Sequence, residues 1–250
     1  MTVRALLLRL EAPMMAFAAP MVDHHGPTLT LPGQAQTTGL LANALGYRHG
    51  DAGRLETLQE RLRMASAALR AGTEMQDYQT ADLGQEFLVD TGWTTSGRRE
   101  DRAGGSARTG THIRYRSYRA DALVLVALRL DPAEEPPTLD DLAAAVDRPA
   151  RPLFIGRKPC LPSSPMLAGI VEADDLLAAL RVGAGRLAAE LGDDLDQAPW
   201  AAEWPENEGA PPSNQARQLR RVDRRDWTNQ FHGGERRVWS GHIHPADTMP

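Results

Sequence analysis

The side chains best equipped for chemistry in this chain are arginines, and they are clustered. From Arg98 to Arg119 there are seven (98, 99, 102, 108, 114, 116 and 119) against Glu100 and Asp101, a local charge of +5. From Arg217 to Arg237 seven more (217, 220, 221, 224, 225, 236 and 237) stand against Asp223, Asp226 and Glu235, a local +4. A guanidinium group grips phosphate as a planar fork and stacks on bases. Tyr115 and Tyr118 alternate with Arg114, Arg116 and Arg119, an interleaving suited to base stacking beside phosphate contact. A third basic feature is the turn Gly156-Arg157-Lys158. A fourth candidate is a polar loop rich in Gly and Pro (Pro20, Gly26, Pro27, Pro32, Gly33) that runs into GLLANALG. Such a loop at a helix start can offer backbone N–H groups to phosphate. On these residues alone two readings stand: a polyanion footprint, or a solvated surface with ion pairs between blocks and the tyrosines packed as strand residues.

Other chemistries find little support. His24-His25 and His242-x-His244 are the only close histidine pairs, and Cys160 has no cysteine partner, so no metal site is expected. There is no Walker A loop and no G-x-S-x-G elbow. Cys160, between Pro159 and Leu161, reads as a small packed residue rather than a nucleophile. A single cysteine fits a reducing compartment. No membrane span or signal peptide is expected: Ala5–Leu8 is too short to cross a bilayer, and Met14–Val22 is broken by Pro20.

The total charge hides this organisation. With 250 residues, 42% hydrophobic, a formal charge of −5 and a pI near 5.8, the chain can bury a core and naively argues against a nucleic-acid partner. Yet Glu172–Glu208 alone carries ten acids and two arginines, a local −8, so the chain is bipolar rather than mildly acidic. Of 28 basic residues only Lys158 is a lysine, a bias that a GC-rich genome explains.

The elements that must position these residues follow from apolar patterning. Arg4–Leu10 reads as a buried strand. Residues 19–38 read as a loop, and Thr38–Gly46 as a short helix capped by Thr37 or Thr38 and ended by Gly46. Leu55–Ala71 fits either helix or strand. Residues 79–112, rich in Gly, Thr and Arg, read as a functional projection or hairpin. Asp121–Leu130 is the clearest strand. Thr138 and Asp141 make a capping-box start for LDDLAAAVD. Pro152–Ile155 reads as a short strand, Asp174–Leu180 as a helix, and Ala198–Pro212, with four prolines, as a linker or long loop.

The pieces LLLRLEAPM, GLLANALG, DYQT, RYRSYRADALVLVAL and PLFIGRKPCLPSSPM occur in this order. Together they resemble the CasD (Cas-five) family of CRISPR-associated RAMP proteins, most similarly the type I-E Cascade subunit, over roughly residues 4–170. The resemblance implies an α+β fold: a ferredoxin-like or RRM-like sheet domain with a projecting β-hairpin thumb and a C-terminal extension. It implies residues 1–197 as the RAMP domain, with the thumb at about 81–114 and Leu62–Leu69 as a strand, and residues 198–250 as a Pro-rich segment and basic extension.

In function, the resemblance implies a non-catalytic, cytoplasmic RNA-binding subunit in antiviral defence, with no cofactor. Its partners would be the CRISPR RNA 5′ handle, a CasC-type backbone subunit and a CasA-type large subunit. Target DNA would be met only through the complex. The implied RNA contacts are Gln34, Gln36, Thr38 and Gly39 in the loop and helix start, Arg108, Arg114 and Arg116 in and beside the thumb, and Arg157 and Lys158 in the basic turn. Departures from the family pattern are Gly26, Gln34 and Gln36 in a loop that often carries arginine, and Gln79 in place of a usual histidine. The runner-up is a metal-independent endoribonuclease processing precursor RNA, with His112 or Tyr115 in its active site. The Lys-His pair of a cleaving relative is missing, since Lys158 is followed by Pro159.

Overall fold

In β1 (Val3–Glu11) the run ALLLRL is apolar without alternation because both faces of the strand are covered. Leu6, Leu8 and Leu10 enter one hydrophobic cluster, while Ala5 and Leu7 enter another on the opposite face. The computed structural model describes residues 2–21, 23–82, 92–93, 99–100, 111–211 and 216–244.

The chain continues through β2 (Met14–Met15), β3 (His25–Gly26), helices α1 (Gln34–Ala44) and α2 (Ala52–Arg61), then β4 (Leu62–Arg70) and β5 (Thr73–Asp82). The ambiguous 55–71 segment is thus helix up to Arg61 and strand from Leu62. Backbone pairs β6 (Gly92–Trp93) and β7 (Arg99–Glu100) precede β8 (Thr111–Ala120) and β9 (Leu123–Leu130). Next come α3 (Leu139–Asp147), β10 (Leu167–Ala173), α4 (Leu176–Leu191), β11 (Trp200–Pro205), β12 (Arg217–Arg221), β13 (Arg225–Asp226), β14 (Phe231–His232) and β15 (Arg236–Ile243).

Seven strands form the main sheet in the order β10-β1-β9-β4-β11-β15-β12, with every neighbouring pair antiparallel. Residues of α1, α2 and α3 share the cluster on one face, and α4 covers the other. The starts of α3 and α4 follow from local sequence. Thr138 and Asp141 make a reciprocal capping box, and Asp175 accepts from the Ala178 N–H at 2.8 Å. Gly183 lets α4 approach the sheet, because a β-carbon there would sit 2.9 Å from Leu7 Cδ1 and 3.0 Å from Leu125 Cδ2.

A smaller sheet holds the basic residues. In it β8 pairs antiparallel with β2, parallel with β3, and antiparallel with β5 from Thr73↔Ala120 to Asp82↔Thr111. Most of the expected thumb, Arg108 included, lies outside the described residues.

Two local expectations are corrected. Pro152–Ile155 joins no strand; its neighbours satisfy the backbone instead, with Ala16 N donating to Ile155 O and Ile155 N to Cys160 O. Ala198–Pro212 is not only linker, since β11 lies within it and pairs with both β4 and β15. Trp200, Ala202 and Trp204 alternate inward along β11, a period-two signal masked by the prolines around it. Glu203, in the same strand, forms an ion pair with Arg221.

Candidate functional site

Helix α1 begins at Gln34, four residues before the expected start, and its first turn is capped from far along the chain. Gln34 N–H donates to Asp223 Oδ2 at 3.0 Å and Ala35 N–H to the Asp223 carbonyl at 2.8 Å. Asp223 is held in turn by Arg236 at 2.7 Å. The positive end of the helix therefore already faces a carboxylate, and Gly39, the expected phosphate-binding start, lies in the helix interior. The expected C-terminal signal holds: Gly46 takes φ +79 just past the helix, and its N–H donates to Asn43 O.

The candidate side chains on α1 turn mostly inward. Gln34 is buried and its Nε2 donates to Gln59 O and Leu62 O. Thr38 is fully buried. Gln36 uses both ends of its amide on one neighbouring segment, accepting from Ala18 N–H and donating to Ala16 O. It positions that segment, so its edge is not free to read a base.

The basic turn at 156–158 is set by Gly156, whose φ is +94 and whose added β-carbon would lie 1.8 Å from Ala16 O. Only glycine fits there. The turn aims Arg157 back at the small sheet, where Nη1 donates to Ser117 O (2.9 Å) and Nη2 to Gly26 O (3.0 Å). Its guanidinium lies over the buried Tyr118 ring, 4.7 Å from the centroid. Arg116, on β8, reaches the same place and its Nη1 donates to Met21 Sδ. Lys158 is exposed, and Arg114 donates to the carbonyl of Ile113 beside it.

These segments enclose a cavity of about 610 Å³. Of the sequence-predicted residues, Gln36, Gly39, Arg116 and Arg157 line it; Gln34, Thr38, Arg114 and Lys158 do not. Sequence reasoning missed the opposite wall, made by Arg225, Trp227 and His232. The basic block 217–237 was visible, but nothing local tied it to α1. The tie is long-range: fully buried Gln59 donates to Arg225 O (2.9 Å) and accepts from Arg225 N–H (3.0 Å). Leu40 and Phe154, both half-buried, add apolar surface. Arg116, Arg157 and Arg225 all stand in the wall, and among the described residues no carboxylate does.

The blocks also neutralise one another elsewhere. Arg221 pairs with Glu203 and Arg129 with the buried Glu208. Part of the acidic segment thus balances nearby arginines.

On the other face of β8 the rings of His24, His25, Tyr115 and Tyr78 form a ladder. His25 and Tyr115 are nearly parallel with centroids 4.9 Å apart, and Tyr78 lies 5.4 Å from Tyr115. Tyr115 and Tyr118, three residues apart on one strand, therefore serve opposite faces.

The family model for CRISPR-associated protein (Cas_Cas5) matches residues 5–239. The chain belongs to that family. This Cas_Cas5 chain is 31% identical over 170 residues to the CRISPR system Cascade subunit CasD of Escherichia coli (strain K12), a match covering 68% of this chain and 72% of that protein. Among solved structures it shares its fold with a chain of a CRISPR RNA-guided surveillance complex (TM-score 0.64, 22% identity, 96% of this chain and 90% of that one). A second, a crystal structure of a Cas protein, matches with TM-score 0.54 and 20% identity over 97% and 96% of the two chains. No helix among the described residues is long and apolar enough to cross a membrane.

Proposed function

We propose that this Cas_Cas5 protein is a non-catalytic RNA-binding subunit of a type I Cascade complex, of the I-E kind. It anchors the 5′ handle of the CRISPR RNA, caps the backbone of CasC-type subunits and docks a CasA-type large subunit. Target sequence is left to guide pairing. The observation that carries this reading is the convergence of Arg116, Arg157 and Arg225, from three distant segments, on one cavity with no carboxylate in its wall among the described residues. A concave site of one sign concentrates a polyanion, and its apolar surface accepts an unstacked base.

Within this reading the β10-β1-β9-β4 portion, with helices after β1 and β9, is the β-α-β-β-α-β ferredoxin-like core. The β5–β8 pair is the base of the thumb. Arg114 and Lys158 then act away from the cavity as phosphate contacts, and Arg108 is a further phosphate contact of the thumb.

Co-purification from the host tests the proposal. Tagged wild-type chain is expected to bring down one repeated backbone protein and a guide RNA. Arg116→Ala is expected to reduce RNA retention several-fold and to flatten its salt dependence. RNA retention unchanged in Arg116→Ala and Arg225→Ala alike would remove the cavity from the binding site.

One observation favours the second reading, endoribonuclease. Tyr115 has the imidazoles of His24 and His25 in ring contact, and RNA cleavage without metal needs a base for the 2′-OH and an acid for the leaving oxygen. Cleavage of precursor RNA in EDTA, abolished by His24→Ala with His25→Ala or by Tyr115→Phe, is the result that selects it.

A further inference from the structure

Arg116 rests on a sulfur atom. The one hydrogen bond of its guanidinium among the described residues runs from Nη1 to Met21 Sδ at 3.0 Å, and both residues line the cavity. A thioether is a weak acceptor, so this charged group is only lightly held. Its path is nevertheless set by the backbone. The side chain runs along Gly26, where an added β-carbon would lie 2.8 Å from Arg116 Nη1 and 3.1 Å from its Cδ. Met21 is tethered on both sides as well. Gln36 holds Ala16 and Ala18 before it, and His25 and Gly26 pair with Tyr115 and Arg116 after it. The neighbouring Arg157 differs, since its two terminal nitrogens already donate to Ser117 O and Gly26 O.

Met21 is also the most accessible methionine among the described residues. It is 59% exposed, against 36% for Met75 and at most 5% for Met15, Met64 and Met166. Exposed methionines are open to peroxide, and the product is a polar sulfoxide. The arginine seated on this one gives the oxidation a consequence for the site.

We infer that Met21 is an oxidation site that controls Arg116. The Met21 sulfur attacks one oxygen of hydrogen peroxide. An S–O bond forms as the O–O bond breaks, and the second oxygen leaves as water with both protons of the peroxide. The sulfur loses two electrons and the peroxide gains them. The sulfoxide oxygen carries a large partial negative charge, so a weak acceptor beside Arg116 becomes a strong one, and a charged donor gains most from that change. Arg116 is then held on Met21 and is no longer offered to phosphate. The inference rests on the RNA-binding reading and adds a regulation to it: the free chain loses its grip on RNA under peroxide and regains it when a methionine sulfoxide reductase returns the thioether.

The test treats purified full-length chain with hydrogen peroxide, locates the added oxygen by mass spectrometry of its peptides, and measures binding of a single-stranded RNA carrying the host's CRISPR repeat before and after. Met21 is expected to gain oxygen ahead of Met75 and well ahead of Met15, Met64 and Met166. Wild-type RNA binding is expected to fall several-fold, by as much as Arg116→Ala removes, and to return after treatment with methionine sulfoxide reductases. Met75→Leu should lose as much as wild type on oxidation. Met21→Leu, which keeps an apolar side chain and has no sulfur, should show no change between its treated and untreated forms, and Arg116→Ala should lose nothing further. A several-fold loss in treated Met21→Leu or in treated Arg116→Ala places the damage elsewhere and overturns the inference. Oxidation of Met75 before Met21 overturns it too, as does a fully oxidised Met21 with RNA binding intact, and in both cases the RNA-binding reading stands. If the untreated chain binds no RNA, that reading fails and the inference falls with it.

Discussion

Gly156→Ala is the substitution that most directly tests how the site is held. The new β-carbon would meet Ala16 O at 1.8 Å and Ala16 C at 2.8 Å. Both are backbone atoms, so no side chain can swing aside, and the 16–18 segment must retreat by about 1.6 Å to restore ordinary contact. That movement breaks the Ala16 N–H to Ile155 O bond and strains the Gln36 Nε2–H to Ala16 O bond, at about 0.5–1.5 kcal/mol each. Holding alanine in left-handed backbone costs about 1–2 kcal/mol more. The Arg157 bonds to Ser117 O and Gly26 O weaken as the turn shifts. The expected loss is about 3–5 kcal/mol, a large share of an ordinary stability of about 5–15 kcal/mol. Urea unfolding measures it: with a slope of about 3 kcal/mol/M, the midpoint falls by about 1–1.7 M. Gly39→Ala is the control. It adds a β-carbon at a comfortable 3.6 Å from Trp227 in a helix interior, so it is expected to be neutral or stabilising by up to about 1 kcal/mol. A Gly156→Ala midpoint indistinguishable from wild type would refute the close approach and the positioning of Arg157 derived from it.

Three further outcomes are expected. Asp223→Ala removes the side-chain cap on Gln34 N–H and strands Arg236, the two side chains being only 12% and 16% exposed; it should cost about 2–4 kcal/mol by urea unfolding, and a cost below about 0.5 kcal/mol contradicts the trans-cap. Cys160 is fully buried, and burial pushes its thiol pKa up, so maleimide labelling should be negligible in the native chain and complete after unfolding; native labelling at the rate of a free thiol contradicts its packing. Burial alone would raise the Glu11 carboxyl, but hydrogen bonds and charge from Arg9, with bonds from Ser164 and Arg70, outweigh it and hold it below its ordinary value. Its contribution is therefore present above the ordinary carboxylate range and lost as pH falls through the lowered folded value. Acid unfolding of Glu11→Gln should accordingly be less steep below about pH 4, and unchanged steepness counts against the Glu11 cluster.

Local signals read well where the physics is local. The uninterrupted apolar run of β1, the capping box at Thr138 and Asp141, and the apolar strand ending at Leu130 depend on neighbours within a few residues. They appear at or near their expected places. The start of α1 was misplaced because its cap is supplied by Asp223, 189 residues away from Gln34. Strand β11 was hidden because its pairing partners β4 and β15 are distant and its neighbours are prolines.

The same division holds for the site. The sequence by itself determined the charge distribution, two arginine blocks around an acidic one, and the ordered motifs that mark the family. It also pointed to Arg116 and the Gly156-Arg157 turn as candidates, since clustered guanidinium groups and a glycine between apolar and basic residues are visible without coordinates. Only the tertiary structure decided which arginines share a cavity. It turned Gln34 and Thr38 inward, sent Tyr115 and Tyr118 to opposite faces of β8, and brought Arg225 and Trp227 against α1. The reason is physical: charge is a property of composition, whereas convergence depends on strand register and on buried hydrogen bonds such as those of Gln59 and Asp223, which join residues that no local pattern connects.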